Sequence, residues 1–365
     1  MIEHDIKIPS SPASSYPIRI GTGILDTLWP RIETDFNGYN PFVVTDENLV
    51  SAGHLHTLLG HRSVPTFIIN PPGETSKTID TAVAIIEAME KAYLGRDTLV
   101  VALGGGTVGD IAGFAAAVFK RGVPVLQVPT TTLAQADSAV GGKTGVDSSL
   151  SKNAFGAFWH PSGVCIDVAT LTTLDERQYR AGLVESVKHA LIADSEYFEF
   201  LENRLDDVLE RQPDVLEQIA LRNCRIKGDV VEIDPNEKNQ RRSLNYGHTI
   251  GHAVEAASGF ALLHGEAVAI GIIAAGLIEL ELGLSEPDRL ERIRAILERL
   301  DVPVKLPGDL TEKDLIDLVK RDKKAINKWP RFVLIDKIGQ VYRQNEQYAV
   351  EVAPDVVGKV LKQLY

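Results

Sequence analysis

The sequence predicts an α/β domain built on a parallel sheet, followed by a mostly α-helical domain. Over residues 1–173, short apolar runs rich in Val and Ile alternate with helical segments, which is typical of a parallel sheet with helices on its faces. Over residues 174–365, long helical patterns dominate and strand-like runs are few. Because 365 residues exceed one ordinary hydrophobic core, we expect two domains that divide between residues 173 and 174.

The predicted elements follow one another in a regular order. The first domain contains five strand-like runs, which are PFVVTD, SVPTFIIN, DTLVVALGGG, VPVLQVPTT and GVCIDV. The second domain begins with the helical stretch ERQYRAGLVESVKHALIADSEYFEFLENRL and continues with the amphipathic NYGHTIGHAVE and the apolar EAVAIGIIAAGLIELELGL. A short strand-like segment, RFVLIDKIG, lies near the C-terminus. The change from alternating to helical patterns is what places the domain boundary.

Charge and cysteine content narrow the class of protein. The net charge of −12 and the pI near 5.3 argue against a nucleic-acid binder, so an anionic ligand must be bound by local cations. The two cysteines form no CxxC pattern, which fits a reducing compartment. The N-terminus has no apolar signal core, and Glu279 interrupts the apolar run 267–278 before it could span a membrane. We therefore expect a cytoplasmic protein.

A glycine motif follows the third strand-like run. Gly104, Gly106 and Gly109 have GxGxxG spacing between a buried strand and a helix, and such glycines let backbone N–H groups approach a pyrophosphate. This predicts a Rossmann-like dinucleotide site, although a turn needed only for packing is the alternative. No acidic residue lies about 20 positions later to hold a ribose, so Asp46 or Glu74 would have to do so. Asp46 alone is more simply interpreted as a helix cap.

Two lysines lie in a loop rich in Gly, Ser and Thr. Lys143 and Lys152 fall within VPTTTLAQADSAVGGKTGVDSSLSKNAFGAFWHP, and their movable positive charges suggest an anion site. The P-loop spacing GxxxxGK[ST] is not met, which disfavours ATP hydrolysis. Solvated surface lysines are the alternative interpretation.

A carboxylate and a lysine share a predicted helix face in GLVESVKHALI. Glu185 and Lys188 are three positions apart, and an ion pair on a surface helix is the usual explanation. The neighbouring Leu, Val and Ala residues instead predict that Glu185 is partly buried, where a carboxylate needs a bound cation or a partner.

Three histidines lie within seventeen residues, which favours a metal site. HTIGH differs from HExxH because no glutamate stands between the histidines, so a metalloprotease is excluded on chemistry. A catalytic zinc site typically has three protein ligands and one open position. The spacing alone does not choose among the candidate ligands, which are His248, His252, His264, Glu185, Glu255 and Glu266.

Taken together, these motifs show that the chain resembles 3-dehydroquinate synthase of the shikimate pathway over nearly its whole length. The matching strings are GGGTVGDIAGFAAAVFKRG, VPTTTLAQADSAVGGKTGV, SKNAFGAFWHP, TLDERQYRAGLVESVKHALI, LNYGHTIGHAVEA, LLHGEAVAIG and RDKK. Ser151, where a Gly is common, and an extra Thr in PTTTLAQ depart from the usual pattern without removing a functional group. The resemblance implies the dehydroquinate synthase-like fold, in which a Rossmann-like domain precedes a helical one.

The resemblance also implies which residues bind which group. Zn²⁺ or Co²⁺ is held by Glu185, His248 and His264, whereas His252 faces the substrate. NAD lies among Asp46, Glu74, Lys77, Gly105, Gly106, Asp110, Thr130, Thr131, Asp137, Lys143, Lys152 and Thr173. The anionic substrate lies among Lys143, Lys152, Asn153, Lys188, Lys227, Arg241, Asn245 and His252, with Lys324 or its neighbour Lys323. Arg121 reaches the site from the second subunit of a homodimer.

The implied reaction converts 3-deoxy-D-arabino-heptulosonate 7-phosphate (DAHP) into 3-dehydroquinate and phosphate. NAD transiently oxidises the hydroxyl at carbon 5 and later returns the hydride, while the metal polarises the oxidised carbon's oxygen. The substrate's phosphate is a candidate proton acceptor, and no protein base is assigned. One alternative is another sugar-phosphate cyclase, which DSAVGGKTGV and the second histidine of NYGHTIGH, His252, disfavour. The other is a metal-dependent polyol dehydrogenase, which the many Lys and Arg residues of the predicted site disfavour.

Overall fold

A computed structural model describes residues 15–259, 261–308, 310–320 and 329–365. Its first half is a six-stranded sheet in which every neighbouring pair is parallel, in the order β1-β8-β5-β4-β2-β3. Between β5 and β8 along the chain, β6 and β7 form a separate antiparallel pair. The strands are β1 (Ile18–Gly21), β2 (Asn40–Asp46), β3 (Thr66–Ile69), β4 (Thr98–Gly104), β5 (Val125–Pro129), β6 (Lys143–Val146), β7 (Phe155–Phe158) and β8 (Gly163–Asp167).

The sequence predicted five of the six strands in the sheet. The five apolar runs correspond to β2, β3, β4, β5 and β8, and the central strand β4 is buried along its whole length. Such a strand has a helix-covered face on both sides, which is why it reads as a continuous Val- and Leu-rich run. The sequence analysis missed β1, because this four-residue edge strand is only half-buried and has no apolar run.

Helices cover both faces of the sheet. On one face, α4 and α5 pack on Phe42, Val44, Val100 and Ala102. On the other face, α1 and α3 pack on Val43, with further sheet residues. These helices are α1 (Leu28–Asp35), α2 (Glu47–Ser51), α3 (His54–Leu59), α4 (Ile79–Lys91) and α5 (Gly106–Val118).

The second half is mostly helical, as predicted. Its helices are α6 (Glu176–Ala193), α7 (Ser195–Leu209), α8 (Pro213–Ile233), α9 (His248–Ala257), α10 (His264–Glu281), α11 (Pro287–Arg299), α12 (Glu312–Lys320) and α13 (Pro354–Gln363). The strand-like RFVLIDKIG forms only part of a small hairpin, β9 (Ile335–Lys337) with β10 (Gln340–Val341). None of the described helices combines the length and apolar character needed to cross a membrane.

The helical half packs directly against the sheet. Val164 and Ile166 of β8 belong to the same buried cluster as side chains from α6 to α13. Helix α10 lies at the centre of this cluster, and it is apolar on all sides because helices surround it. The division between residues 173 and 174 follows the change of architecture and stays a prediction.

Candidate active site

The sheet topology creates a crevice where β2 and β4 lie side by side. The chain leaves β2 toward β3 on one side, whereas it leaves β4 toward β5 on the other. The two connections diverge at the carboxyl ends of these strands, and in open α/β sheets ligands bind at such a point. Asp46 is the last residue of β2, and Gly105 follows the last residue of β4. The predicted cofactor residues therefore lie at the position that the topology favours.

The glycine motif forms the expected turn from strand to helix. Helix α5 begins at Gly106, one residue after Gly105. A Cβ atom on Gly105 would lie 2.9 Å from Thr131 Cγ2, and one on Gly106 would lie 3.1 Å from Ser138 Oγ. Larger residues would thus press on the segment after β5. The first N–H groups of α5 have no acceptor within the helix and can bind an anion.

Polar residues surround this turn. Thr107 Oγ1 donates a 3.0 Å hydrogen bond to Glu74 Oε2. Lys77, which is 5% exposed, forms a 2.6 Å ion pair with Asp110. Burial raises the pKa of Asp110 against the opposing charge of Lys77. Glu74, Lys77 and Asp110 thus lie beside the first turn of α5.

Asp46 is a helix cap, which was the simpler of its two interpretations. Its Oδ1 accepts hydrogen bonds from the backbone N–H groups of Asn48 at 2.9 Å and Leu49 at 3.2 Å. Its Oδ2 takes part in neither bond. Burial raises the pKa of this carboxyl group.

Threonines close the crevice at the ends of β5 and of the turn after β8. The backbone N–H of Thr130 donates to Gly104 O at 3.0 Å, and Thr131 Oγ1 accepts from Ala134 N at 3.2 Å. Thr173 Oγ1 donates to Thr170 O at 3.1 Å. Thr130 and Thr131 thus lie next to the glycine turn, whereas the contact of Thr173 fixes it within the turn after β8.

Glu185, His248 and His264 come together from three helices. Their ligand atoms all lie within 4.8 Å of one another. Close backbone contacts set this geometry, because a Cβ atom at Gly265 would lie 1.8 Å from Ala181 O and one at Gly271 would lie 1.9 Å from Gly247 O. The two glycines therefore let α10 approach both α6 and the turn before α9.

The hydrogen bonds of the two histidines suit a metal ion. His248 Nδ1 lies 3.0 Å from Tyr246 O, and His264 Nδ1 lies 3.3 Å from Glu255 Oε2, so both Nδ1 atoms are placed to donate. Both Nε2 atoms then face Glu185 Oε1, at 3.7 Å and 3.6 Å. Metal-binding histidines typically have their other nitrogen held in this way.

Glu185 has the properties of a buried metal ligand. It is 0% exposed, and neither of its oxygens accepts a well-formed hydrogen bond from the described residues, although Lys188 forms an ion pair with it. Burial would raise the pKa of Glu185, but the charges of Lys188 and His248 hold it well below its usual range. Burial would lower the pKa of His264, but Glu185 and Glu255 raise it to about 9. Glu185 and Glu255 thus stabilise positive charge at this position, and a bound metal ion would supply that charge.

Two other groups share residues with this cluster. His252, Glu255 and His264 also lie within 4.8 Å, and so do Asp137, Glu185 and His189. In the second group, Lys227 already pairs with Asp137 at 2.8 Å. In the first group, Lys152 already pairs with Glu255 at 2.8 Å. Lys188 likewise pairs with Glu185, so lysine pairing alone does not separate the groups. In the group of Glu185, His248 and His264, both Nδ1 atoms have other acceptors and both Nε2 atoms face one carboxylate, and this geometry favours it as the cation site.

Hydrogen bonds and ion pairs hold three of the predicted substrate residues in place. Arg241 is 1% exposed, and its guanidinium donates to Gly141 O at 2.9 Å and to Pro235 O at 2.7 Å. Lys143 pairs with Glu237, whose Oε1 also accepts from Asn245 Nδ2 at 2.9 Å. Lys143 and Asn245 are thus brought together through one carboxylate.

Lys152 stands between the glycine turn and the histidines. Its Nζ lies 3.3 Å from Glu74 Oε1 and 2.8 Å from Glu255 Oε1. The loop that carries Lys152 and Asn153 is attached to the cofactor side, because the Asp147 backbone N–H donates to Lys77 O at 2.8 Å. Asn153 adopts a positive φ of 51° in this loop.

Two predicted residues do not join the site within the described chain. Arg121 lies in a short 3₁₀ turn beyond the far end of α5, and 13 helical residues separate it from the glycine turn by about 20 Å. This remoteness is what a residue acting in a second subunit would show, and that role stays a prediction. Lys324, like Lys323, lies outside the described residues.

The sequence analysis assigned no role to Glu237 or His189 and left the role of Glu255 open. Glu237 pairs with Lys143 from a polar loop that has no motif. His189 is fully buried, with Nδ1 3.1 Å from Asn223 Oδ1. Glu255 was one of three open candidates for the metal carboxylate, and only its position seven residues after His248 indicated a shared helix face.

Comparison with known proteins places this site in a family context. Models described as 3-dehydroquinate synthase N-terminal and C-terminal match residues 67–181 and 182–325. A 3-dehydroquinate synthase of Symbiobacterium thermophilum is 42% identical over 94% of this chain and 96% of its own length. One of Acidithiobacillus ferrooxidans is 44% identical over 89% of this chain and 90% of its own.

Solved structures share the fold. A 2-deoxy-scyllo-inosose synthase complexed with carbaglucose-6-phosphate, NAD⁺ and Co²⁺ is 26% identical, with a TM-score of 0.85 over 95% of this chain and 96% of its own. A 2-epi-5-epi-valiolone synthase from Streptomyces hygroscopicus with NAD⁺ and Zn²⁺ is 27% identical, with a TM-score of 0.87 over 98% of this chain and 99% of its own. A probable glycerol dehydrogenase from Sinorhizobium meliloti, 14% identical over 96% of this chain and 98% of its own with a TM-score of 0.68, shares only the fold.

Proposed function

The chain belongs to the 3-dehydroquinate synthase family and has that activity, and we propose that the residues around the crevice divide the work of the reaction as follows. The enzyme is a lyase that converts DAHP into 3-dehydroquinate and phosphate, with NAD and a divalent metal ion as cofactors. The single observation that best supports the division is that Lys152 joins Glu74, beside the glycine turn, to Glu255, beside the histidines. In this proposal, the NAD site and the metal site are therefore two parts of one active site.

In this proposal, residues 1–173 bind the cofactor. NAD, when bound, supplies a hydride acceptor for the substrate's carbon 5 and returns the hydride later in the cycle. The turn at Gly105 and Gly106 holds the pyrophosphate, and Glu74 and Asp46 are placed for the ribose hydroxyls. The remaining cofactor contacts would come from Lys77, Asp110, Thr130, Thr131, Asp137, Lys143, Lys152 and Thr173.

Residues 174–365 hold the metal and most of the substrate. A metal ion held by Glu185, His248 and His264 supplies a Lewis acid for the oxygen on carbon 5. Lys188 limits the negative charge beside Glu185, with which it forms a fully buried ion pair. We assign His252 to the substrate, and its position beside the proposed metal site supports this, since its ring lies 5.1 Å from that of His248 and 5.8 Å from that of His264.

Cationic side chains bind the substrate's carboxylate and phosphate. An acidic protein repels an anion at long range, so local positive charge must recover the binding energy. Arg241 offers a planar donor set in a buried position, and Lys227 is held close by Asp137. The other contacts in this proposal come from Lys143, Lys152, Asn153, Asn245 and Lys324.

Turnover of purified protein with DAHP and a catalytic amount of NAD tests this function. Phosphate release and dehydroquinate formation should proceed together at equal rates. The alternative is another sugar-phosphate cyclase, which the likeness to 2-deoxy-scyllo-inosose synthase supports. Faster turnover of a different sugar phosphate than of DAHP would favour that alternative.

We also propose a cytoplasmic homodimer in which Arg121 enters the partner's site. Val118 at the end of α5 is 47% exposed, and Phe155 and Phe158 of β7, which contacts α5, are 46% and 51% exposed; we expect exposed apolar side chains of this kind to pack against a second copy. The free, buried Cys165 and Cys224 fit a reducing compartment. Mixing an inactive Arg121→Ala protein with an inactive Lys227→Ala protein should restore activity, because one site of each mixed dimer would be intact.

A further inference from the structure

Glu255 lies between the proposed metal site and the proposed cofactor site, and the mechanism above gives it no role. Its side chain is 9% exposed, and each of its two oxygens has a different partner. Oε2 lies 3.3 Å from His264 Nδ1, whereas Oε1 lies 2.8 Å from Lys152 Nζ. A buried carboxylate with two such partners is held in one orientation.

The contact with His264 decides which ring nitrogen faces Glu185. A carboxylate accepts a hydrogen bond, so the proton of a neutral His264 ring resides on Nδ1. The lone pair of Nε2 then points toward Glu185 Oε1, 3.6 Å away. Carboxylates that accept from a ligating histidine orient the ring and increase its basicity.

The contact with Lys152 extends to the cofactor side. Lys152 Nζ also lies 3.3 Å from Glu74 Oε1, and Glu74 accepts a hydrogen bond from Thr107 in the first turn of α5. Glu74, Lys152 and Glu255 alternate in charge, and Glu255 then contacts His264, so these contacts run from the glycine turn to the histidine cluster. Glu255 is the member of this chain that α9 contributes, seven residues after His248 on the same helix.

We propose that Glu255 is a positioning residue that orients His264 for metal binding through Nδ1 and, with its other oxygen, holds Lys152 against the cofactor site. This inference rests on the proposed metal site of Glu185, His248 and His264. It predicts that removing the charge at position 255 weakens metal binding and NAD binding in the same protein. If Glu255 were needed only for packing, its replacement would not selectively change the affinity for metal or for NAD.

The test measures Zn²⁺ and NAD dissociation constants of Glu255→Gln by chelator competition and by titration. Because Gln keeps the size of the side chain but loses its charge, the Zn²⁺ constant should rise roughly 10- to 100-fold. The NAD constant should rise several-fold. The absorption spectrum of the Co²⁺-loaded protein should shift but keep the form of a three-ligand protein site, because no ligand is lost.

Glu266→Gln is the matched control. Glu266 is 7% exposed, like Glu255, and lies two residues from His264, but its oxygens accept from Arg177 at 2.7 Å and from the Leu263 backbone N–H at 2.8 Å, and Gln keeps one oxygen that can accept. Because Glu266 contacts neither His264 nor Lys152 in the described contacts, we expect Glu266→Gln to have only a small effect. Its Zn²⁺ and NAD dissociation constants should stay within about threefold of wild type. If Glu255→Gln prevents folding, Glu255→Asp, which withdraws the carboxylate from the ring, gives the same comparison.

Two results would overturn the proposal. Wild-type dissociation constants in Glu255→Gln would show that Glu255 positions nothing. Complete loss of metal from Glu255→Gln, with retention in Glu185→Gln, would show that Glu255 is itself a ligand together with His252 and His264. The latter result would also contradict the proposed metal site, whereas the former would leave that site intact.

Discussion

At the scale of single residues, the two histidines of HTIGH have different surroundings although they lie one helical turn apart. His248 is half-buried with its Nδ1 held by Tyr246 O, and burial, followed by the charge of Lys188, lowers its pKa well below the usual value. His252 is exposed on the same helix. A four-residue step advances a helix by about 6 Å, which is enough for His248 to be the proposed metal ligand and His252 the proposed substrate contact.

We therefore expect His252→Ala to bind Zn²⁺ and NAD with nearly wild-type affinity and to lose activity by roughly 100-fold or more, as when a positioned acid–base group is removed. Metal analysis alongside steady-state kinetics checks this. A variant that loses its metal would show that His252 is a ligand, and one with near-normal turnover would show that it is only structural.

At the scale of elements, close helix packing builds the metal cluster. Gly271 of α10 faces Gly247 O, and no side chain fits between them. The shared surface holds His248, which follows Gly247 by one residue, beside His264 at the start of α10.

Gly271→Ala should therefore destabilise the protein by about 1–3 kcal/mol or more and weaken metal binding, because overpacking moves α9 away from α10. Gly228→Ala in α8 is the control, since its Cβ would meet nothing within 4 Å and should raise stability by up to about 1 kcal/mol. Urea unfolding and metal titration measure both. Equal effects of the two substitutions would contradict the packing argument.

A buried carboxylate joins α10 to the small C-terminal hairpin. Glu279 is 0% exposed, accepts from the Ile335 backbone N–H at 2.8 Å and pairs with Arg289 at 2.8 Å. Burial raises the pKa of Glu279 from 4.5 to about 7 despite these partners. The folded protein thus holds this proton more tightly than the unfolded chain does.

The stability that this proton contributes is complete below pH 4.5 and is lost as the pH rises through about 7. Relative to Glu279→Gln, which does not titrate, the wild-type free energy of unfolding should fall by roughly 3 kcal/mol between these limits. Urea unfolding of both proteins at several pH values measures the difference. Parallel curves would show that Glu279 keeps one charge state throughout.

At the scale of the whole molecule, the proposed function gives the sheet and the helical half one shared site, so we expect oxidation and reduction to occur without release of an intermediate. In the proposed cycle, the hydride that NAD accepts is returned to the same substrate. NAD should therefore be needed in catalytic amounts only, and the absorbance of NADH should not rise during turnover. Formation of one NADH for each substrate consumed would instead indicate a dehydrogenase.

The sequence by itself determined five strands of the main sheet, the mostly helical second half, the glycine turn and the types of residue in the site. These features depend on local periodicity and on neighbours along the chain, so the apolar run of β4 and the GxGxxG spacing suffice to predict a strand, a turn and a helix. The short edge strand β1 was missed because its stability comes from pairing with β8, which is distant in sequence.

Only the tertiary structure decided how the candidate carboxylates differ. Glu185, Glu255 and Glu266 were equivalent by spacing, yet Glu185 faces both histidines, Glu255 lies behind one ring and Glu266 turns away to Arg177. Helical spacing fixes which residues share a face, but it contains no information on how two helices cross. That crossing depends on contacts such as those of Gly265 and Gly271, whose partners lie far away in the chain.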